Sequence, residues 1–562
     1  MTVHPGPSEI DRMSSAAKPT PAKKPPKDSL RELVETIVFV VVLVLALKLF
    51  VVEAFVIPTG SMAETLMGYH KTVQCEQCGH KFPVNSSEEV EGRKGVRIPV
   101  VGYHCPNCDY PGKLKLYELS PNNYRTEIDS DDGDRVLVHK AMQIDHRGSV
   151  VVFKFPENPQ VDHVAQNYIK RLVGFGGETI AIYHGELFVH KSLTYPAEHY
   201  PRPDNPNDLW DRRYTYPQAP IAVAAFEESR KRGFPADAGG FELIRKPDDQ
   251  MLAMMRLVYN NEHQADDLIK RGIPPRWKTT GEGWGVTQLG QRVYSHTGSG
   301  RGFLKYEHLR VKNTQRMRDL TEAPKPQRIT NFMGYNSGSR GSFSNQGIAE
   351  DNLDSNDHWA GDLILECKAE IAGPGSGVVL DLARGPNRYQ AHFSNGVVKL
   401  IRTGPGGKEL ASRPSPMTAA GAYDLRFANV DCRLRVWVNG TAIDFGNESE
   451  YPYEAPATFD PADTKSEGWT TVNDIKEPAA IEVEGDAAIA NIVLSRDTYY
   501  THSDNPEKEL DTFYVQPGHF LCFGDNSSQS HDGRGWGLVP DRLMLGRAVF
   551  TFWPRKRIGF IR

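Results

Sequence analysis

The chain has 562 residues, of which 39% are hydrophobic and 24% charged, and its formal net charge at pH 7 is -5. This is a globular composition, and the length is enough for several domains. Because the sequence has no long basic stripe, we expect no nucleic-acid partner. Its 50 glycines and 39 prolines predict many turns and therefore a mainly β fold.

The N-terminal region differs from the rest. Residues 1–29 are rich in Pro, Ser, Ala and Lys, which predicts a disordered cytoplasmic tail. Residues 30–53 predict a transmembrane anchor, since Leu33–Val52 would span roughly 30 Å as a helix. A buried core helix is the alternative, but Ile37–Leu47 is apolar on every side. The basic residues before the segment predict that the N-terminus is cytoplasmic and that the rest of the chain lies outside the membrane.

The remaining chain divides by pattern. Residues 54–195 and 501–562 carry short strand patterns and predict the two parts of one antiparallel β core. Residues 196–349 form a mixed insertion, with a helix predicted over Met251–Lys270. Residues 350–500 alternate like a jelly-roll β-sandwich, with a strong hairpin signal at Val438–Thr441.

Two residues stand out as a candidate nucleophile and base. Ser61 follows Gly60 directly after the apolar segment, although most serines in such a place cap turns. Lys170 lies in the middle of a predicted strand between Ile169 and Leu172. Burial would lower the pKa of this lysine and supply a neutral amine, whereas an exposed strand lysine is the commoner case.

In chain order, four motifs together resemble bacterial type I signal peptidases, which are Ser-Lys serine proteases. They are Pro58–Met62, Gly133–Val138, Tyr168–Gly174 and Gly524–Arg534. The resemblance covers roughly Leu30–Val189 and Thr512–Trp553, and it leaves the middle of the chain unexplained.

The resemblance implies a role for each matching residue. Ser61 would be the nucleophile and Lys170 the general base. The Ser61 backbone N–H and the Thr59 hydroxyl would form the oxyanion hole, and Ser530 would orient the lysine. Four charged residues would support the strands around the site: Arg171, Asp525, Asp532 and Arg534.

The same resemblance implies an activity and a location. The protein would remove signal peptides from exported preproteins after Ala-x-Ala-like sites, without a cofactor for catalysis. It would be a single-pass protein of the cytoplasmic membrane, with preproteins and membrane lipid as partners. Two positions depart from the family: Glu64 stands where proline is usual, and Gly533 where serine is common. Without that proline, we expect a looser turn after the nucleophile.

The cysteines predict a separate metal site. Cys75, Cys78, Cys105 and Cys108 form two C-x-x-C pairs within a predicted insertion at residues 70–115, the pattern of a zinc ribbon. Outside the cytoplasm the pairs could instead form disulfides. A disulfide within one C-x-x-C would be strained, which favours structural zinc.

The sandwich segment loosely resembles laminin-G and concanavalin-like jelly rolls, which predicts a glycan or protein ligand or else a simple spacer. Within it, Cys367 and Cys432 could pair or stay buried, and Cys522 beyond it is expected in the core. One rival hypothesis is a catalytically inactive, membrane-tethered glycan- or protein-binding module. Another is a Ser-Lys protease of the repressor-cleaving kind, which has no anchor before its serine.

Overall fold

The computed structural model describes residues 29–92, 97–120, 123–156, 165–196, 210–234, 239–311, 316, 324–338, 343–344, 347–348, 358–373, 375–404, 406–453, 472–502 and 509–562. The chain divides into two compact units, Met1–Val52 and Glu53–Arg562. The predicted tail falls almost wholly outside the described residues.

The first unit contains helix α1 (Ser29–Phe50), whose apolar side chains are exposed. Charged residues occupy both ends, with Glu32 in the first turn and Lys48 in the last. In the part of the chain that the structure describes, no helix has both the length and the apolarity needed to cross a membrane. The transmembrane anchor predicted for residues 30–53 is therefore not supported.

The second unit is mainly β, which confirms this part of the predicted fold class. Its first segment comprises β1 (Val52–Val56), β2 (His70–Gln74), β3 (Lys81–Asn85), α2 (Ser87–Val90), β4 (Gly102–His104), β5 (Pro111–Lys113), β6 (Leu116–Ser120), β7 (Asn123–Thr126), β8 (Arg135–His139), β9 (Val150–Pro156), β10 (Ala165–Phe175), β11 (Thr179–Tyr183) and β12 (Glu186–His190).

The next segment mixes helices with strands. It comprises α3 (Pro220–Lys231), β13 (Glu242–Leu243), α4 (Asp248–Met254), β14 (Arg256–Asn260), α5 (Asp266–Lys270), β15 (Trp277–Gly281), β16 (Tyr294–His296), β17 (Arg301–Tyr306), β18 (Phe343–Ser344) and β19 (Gly347–Ile348). The single helix predicted over Met251–Lys270 is wrong in its middle, since only its two ends are helical, in α4 and α5. Between them the chain forms β14, because Leu257, Tyr259 and Asn260 pair with β29 of the sandwich.

The last two segments return to strands. They comprise β20 (Leu363–Ile371), β21 (Gly377–Arg384), β22 (Asn387–Ser394), β23 (Val397–Thr403), β24 (Lys408–Pro414), β25 (Gly421–Val430), β26 (Arg433–Val438), β27 (Thr441–Ile443), α6 (Val472–Lys476), β28 (Ala479–Glu484), β29 (Ala487–Arg496), β30 (Leu510–Tyr514), β31 (His519–Phe523), α7 (Gly533–Trp536), β32 (Val539–Pro540), β33 (Met544–Trp553) and β34 (Gly559–Phe560).

One antiparallel sheet interleaves strands from both ends of the second unit. Its order is β1-β8-β33-β9-β10-β31-β32, with β34 beside β33. In β10, Lys170 lies opposite Val151 and Arg171 opposite Phe523. Residues far apart in the chain are therefore neighbours in this sheet. A smaller sheet, β13-β12-β11-β30, packs its apolar side chains into the adjoining core.

Two larger antiparallel sheets share one apolar core and form the sandwich. Among the described residues their orders are β14-β29-β20-β25-β26-β27, with β16 beside β29, and β15-β17-β28-β21-β22-β23-β24. The strands from Arg256 to Tyr306 belong to these sheets, so the boundary predicted at residue 350 is too late. Cys367 and Cys432 are buried as free thiols in this region, and Cys522 is a buried free thiol of the core.

Candidate active site

Ser61 lies in a short 3-10 turn, Gly60–Met62, just after β1. Ser61 is 9% exposed, so its hydroxyl lies just below the protein surface. A backbone bond from Ile57 to the Asp134 carbonyl fixes the chain before the turn. The close approach of Tyr335 requires glycine at position 60, because a Cβ there would lie 2.5 Å from the tyrosine ring.

Lys170 reaches Ser61 from β10. Its Nζ lies 2.7 Å from the Ser61 Oγ and donates a second bond of 3.1 Å to the Ile169 carbonyl. The residue is 4% exposed, and burial lowers the pKa of Lys170 to about 8, against an opposing effect of the Asp532 carboxylate. About a tenth of this amine is therefore neutral at pH 7, far more than for a lysine of ordinary pKa.

Two buried ion pairs surround this lysine. Arg171 donates from Nε and Nη2 to the two carboxylate oxygens of Asp525 at 2.7 and 2.6 Å, which joins β10 to the loop after β31. Arg534 donates to both oxygens of Asp532 at 2.9 and 2.7 Å. Bidentate geometry of this kind fixes orientation as well as charge. The four predicted support residues therefore pair with one another.

The two remaining predicted site residues are close to the pair but less engaged. Thr59 is exposed and lines the same cleft as Ser61. The Ser530 Oγ is buried beside Gly524 and accepts or donates no hydrogen bond within the described residues. Its predicted orienting bond to Lys170 is thus not formed in this structure.

The turn after the nucleophile is held by arginines. Arg557 donates to the carbonyls of Glu64 and Thr65 at 3.2 and 2.8 Å, and Arg256 donates to the Ala63 carbonyl at 3.0 Å. Asp134 is fully buried, accepts from the Met67 N–H and pairs with Arg557. These bonds restrain the turn at the position where the usual proline is missing.

Sequence reasoning missed Asn526, which contacts the turn of Ser61, and Asn336, which holds Asn526. Asn526 donates from its side chain to the Gly60 carbonyl at 3.0 Å and from its backbone to the Ser61 carbonyl at 3.1 Å. Asn336 exchanges two side-chain bonds of 2.8 Å with Asn526. Asn526 lay inside a recognised motif and could have been singled out, whereas Asn336 carries no sequence signal.

The Ser61–Lys170 pair opens into a cleft of about 860 Å³. One side is the stretch Gln166–Lys170 of β10, and the other comes from residues 85–92 after β3. Asn336 and His531 also line the cleft.

The four predicted zinc ligands come together near this cleft. Their sulfurs all lie within 4.8 Å of one another, with 3.6 Å between Cys75 and Cys108 and between Cys78 and Cys105. Four thiolates around one zinc at 2.3 Å would stand about 3.8 Å apart, whereas a disulfide requires about 2.05 Å. All four are free thiols here, and the arrangement fits a tetrahedral metal.

Parts of this sequence are similar to known proteins. The model of the family "Signal peptidase, peptidase S26" matches residues 122–229 and 432–553. Lys170 and Ser530 lie inside these segments and Ser61 lies outside them. The matches support a serine endopeptidase, a hydrolase.

More narrowly, curated relatives support a peptidase of the signal peptidase I kind. Probable signal peptidase I-2 of Synechocystis sp. (strain ATCC 27184 / PCC 6803 / Kazusa) is 39% identical over 56 residues, 10% of this chain and 26% of that protein. Signal peptidase I of Leptolyngbya laminosa is 50% identical over 40 residues, 7% of this chain and 20% of that protein. Thylakoidal processing peptidase 1 of Arabidopsis thaliana is 28% identical over 111 residues, 20% of this chain and 29% of that protein. The chain therefore spans about a quarter of these relatives' lengths.

Structural comparison finds mainly β proteins. The carbohydrate-binding module CBM66 from Bacillus subtilis matches with 12% identity and a TM-score of 0.21, covering 39% of this chain and 94% of that one. A galectin-like protein from Bacillus subtilis matches with 10% identity and a TM-score of 0.23, covering 43% of this chain and 99% of that one. Scores this low carry no conclusion about ligands.

Proposed function

We propose that this protein is a signal peptidase that cleaves preproteins after Ala-x-Ala-like sites with Ser61 as nucleophile and Lys170 as general base. The observation that carries the proposal is the 2.7 Å contact between the Lys170 Nζ and the Ser61 Oγ in a buried setting. A neutral lysine at that distance accepts a hydroxyl proton directly. The family match and the relatives' names support the same reaction class.

The proposed reaction has two steps. The neutral Lys170 amine takes the Ser61 proton as Oγ attacks the scissile carbonyl, and the resulting ammonium returns a proton to the leaving amine. A water, deprotonated by the same lysine, then hydrolyses the acyl-enzyme and releases the signal peptide, and the lysine returns that proton to the Ser61 Oγ. The Ser61 N–H and the Thr59 hydroxyl would stabilise the oxyanion, and Ser530 would orient the lysine.

The edge of β10 supports a peptide substrate. From Ala165 to Lys170 this strand pairs with β9 on one side, whereas pairing with β31 on the other side begins only at Arg171. Within the described residues the Gln166–Ile169 edge faces the cleft without a strand beside it. An extended peptide could add to this edge through main-chain bonds, which would bring its carbonyl to Ser61.

A membrane location is part of the proposal. One relative is named mitochondrial inner membrane protease subunit 1, from Homo sapiens, and is 43% identical over 49 residues. Fractionation of cells followed by a carbonate wash tests this location. Recovery of the full-length chain in the washed soluble fraction would contradict it.

We also propose that the four cysteines hold a structural zinc ion. The donor set is four thiolates, and two equivalent turns present them, each closed by a backbone bond from Gly79 to Cys75 and from Asp109 to Cys105. Four protein ligands leave no position for a reacting water, so the metal would support structure only.

The decisive experiment uses purified full-length protein and a preprotein with an Ala-x-Ala site. Wild type should release the mature protein, and Ser61→Ala and Lys170→Met should not, while all three have the same unfolding midpoint. Absence of cleavage by folded wild type across several preproteins would reject the peptidase and leave the inactive binding module as the better hypothesis.

A further inference from the structure

A short segment of the insertion connects the cysteine module to the nucleophile. The cysteine module is residues 70–115, and the segment is the 3-10 turn Gly334–Gly338, called here the clamp turn. The clamp turn lies outside both segments matched by the family model. Four of its five residues are buried, although the turn forms no strand of any sheet.

One side of the clamp turn sits on the second cysteine pair. The Ser337 Oγ accepts a bond of 2.9 Å from the His104 N–H, immediately before Cys105. Gly334 packs on Pro106, between the two cysteines, so closely that a Cβ there would lie 2.7 Å from the proline ring. The position of the clamp turn therefore depends on the fold of this cysteine pair.

The other side of the clamp turn touches the nucleophile turn twice. The Tyr335 ring packs against Gly60 and belongs to a small apolar cluster with Ala63 and Met67. Asn336 holds the side-chain amide of Asn526, and that amide in turn donates to the Gly60 carbonyl. Both contacts act on the residue just before Ser61, whose N–H is the proposed oxyanion donor.

We propose that the clamp turn transmits the order of the cysteine module to the nucleophile turn, with Asn336 as a positioning residue that acts through Asn526. This inference rests on the proposed peptidase function. Asn526 is fully buried, so its amide has no solvent to replace a lost partner. Removal of Asn336 would free the amide to rotate and would let the Gly60 carbonyl and the Ser61 N–H shift. A metal-loaded cysteine module would thus be required for full turnover without contributing a reacting atom.

The first test is the Asn336→Ala variant of the full-length chain. We expect kcat to fall by about tenfold to a hundredfold, the range for small misplacements of reacting groups, while KM changes by less than about threefold. Bound zinc and the unfolding midpoint should match wild type. The matched control is Ser528→Ala, which removes a different contact of Asn336, 3.4 Å from its amide, and should leave kcat unchanged.

A double-mutant cycle separates positioning from substrate contact. In an Asn526→Ala background, Asn336→Ala should cause no further loss of kcat, because the path through the amide is already broken. Additive losses, or a rise in KM with kcat preserved, would show that Asn336 contacts substrate and would overturn the positioning role.

The link to the cysteine module is tested with Cys105→Ser. The variant should lose bound metal and lose kcat to the same extent as Asn336→Ala, with circular dichroism showing that the β fold persists. A folded, metal-free Cys105→Ser variant with wild-type kcat would reject the link. If Cys105→Ser fails to fold, a wild-type kcat in Asn336→Ala would reject it instead. An inactive wild type would instead reject the peptidase itself, so the two failures are distinguishable.

Discussion

The Nζ of Lys170 lies 2.7 Å from the Oγ of Ser61 although 109 positions separate the two residues in the chain. The serine belongs to a turn after β1, whereas the lysine belongs to a central strand of the same sheet. The fold of the sheet and of the turn beside it therefore holds the two groups at this distance. Preorganisation of this kind removes the cost of assembling the two groups during the reaction.

The pH dependence of cleavage should report the lysine. Lys170 must be neutral to accept a proton, and its pKa is lowered to about 8 by burial. We expect kcat/KM to rise about tenfold per pH unit below pH 8 and to level off above it. A pH profile of peptide cleavage between pH 6 and 10.5 measures this. A profile that keeps rising to pH 10 would assign the lysine its ordinary pKa.

Loss of the buried Arg171–Asp525 pair should lower the free energy of unfolding more than loss of an exposed ion pair. Both side chains are at most 1% exposed, so Arg171→Ala leaves a buried carboxylate without its partner. We expect the free energy of unfolding to fall by about 3–5 kcal/mol in urea denaturation. The exposed pair Lys399–Glu409 provides the control, since Lys399→Ala should cost less than about 1 kcal/mol. Equal effects of the two substitutions would contradict this interpretation.

Gly60 should tolerate no side chain. A Cβ would overlap the Tyr335 ring at 2.5 Å, so Gly60→Ala should displace Ser61 and lower kcat/KM by about a hundredfold. Gly373→Ala, where a Cβ would meet open space, should behave as wild type. If the overlap is the cause, adding Tyr335→Ala to Gly60→Ala should restore part of the activity. Failure to restore any would point to a different cause.

The metal proposal makes a stoichiometric prediction. Elemental mass spectrometry should find one zinc per chain in purified wild type and much less zinc in Cys75→Ser. Cys367→Ser, at a buried free thiol of the sandwich, should retain the zinc. If wild type holds no zinc and its four module thiols all react with a thiol reagent, the site is not a metal site.

Local patterns predicted some elements and missed others for a physical reason. The apolar alternation around Lys170 correctly predicted a strand within β10, because the sequence of a half-buried strand itself alternates between apolar and polar residues. The stretch after Met251 looked helical by the same kind of reasoning. Its true state depends on pairing between β14 and β29, whose sequences are more than 200 positions apart, and no local pattern contains that partner.

The candidate site also contains residues that the sequence could predict and a residue that it could not. Ser61, Lys170 and the Arg-Asp pairs lie in motifs with characteristic spacing, so their proximity could be anticipated. Asn336 lies 190 positions from Asn526 in a segment with no motif. Its contact arises only because the insertion folds back across the cysteine module, which is a property of tertiary packing.

The insertion leaves the chain after β12 and rejoins it at β30, and both of these strands pair with β11. Tyr183 in β11 lies opposite Glu186 on one side and opposite Leu510 on the other, while Thr179 lies opposite His190 and Tyr514. The chain thus departs after His190 and returns at Leu510, at points about 16 Å apart by strand spacing and rise. A loop of about six residues could close that gap. An insertion of roughly three hundred residues is therefore accommodated at one place without altering the register of the strand that carries the lysine.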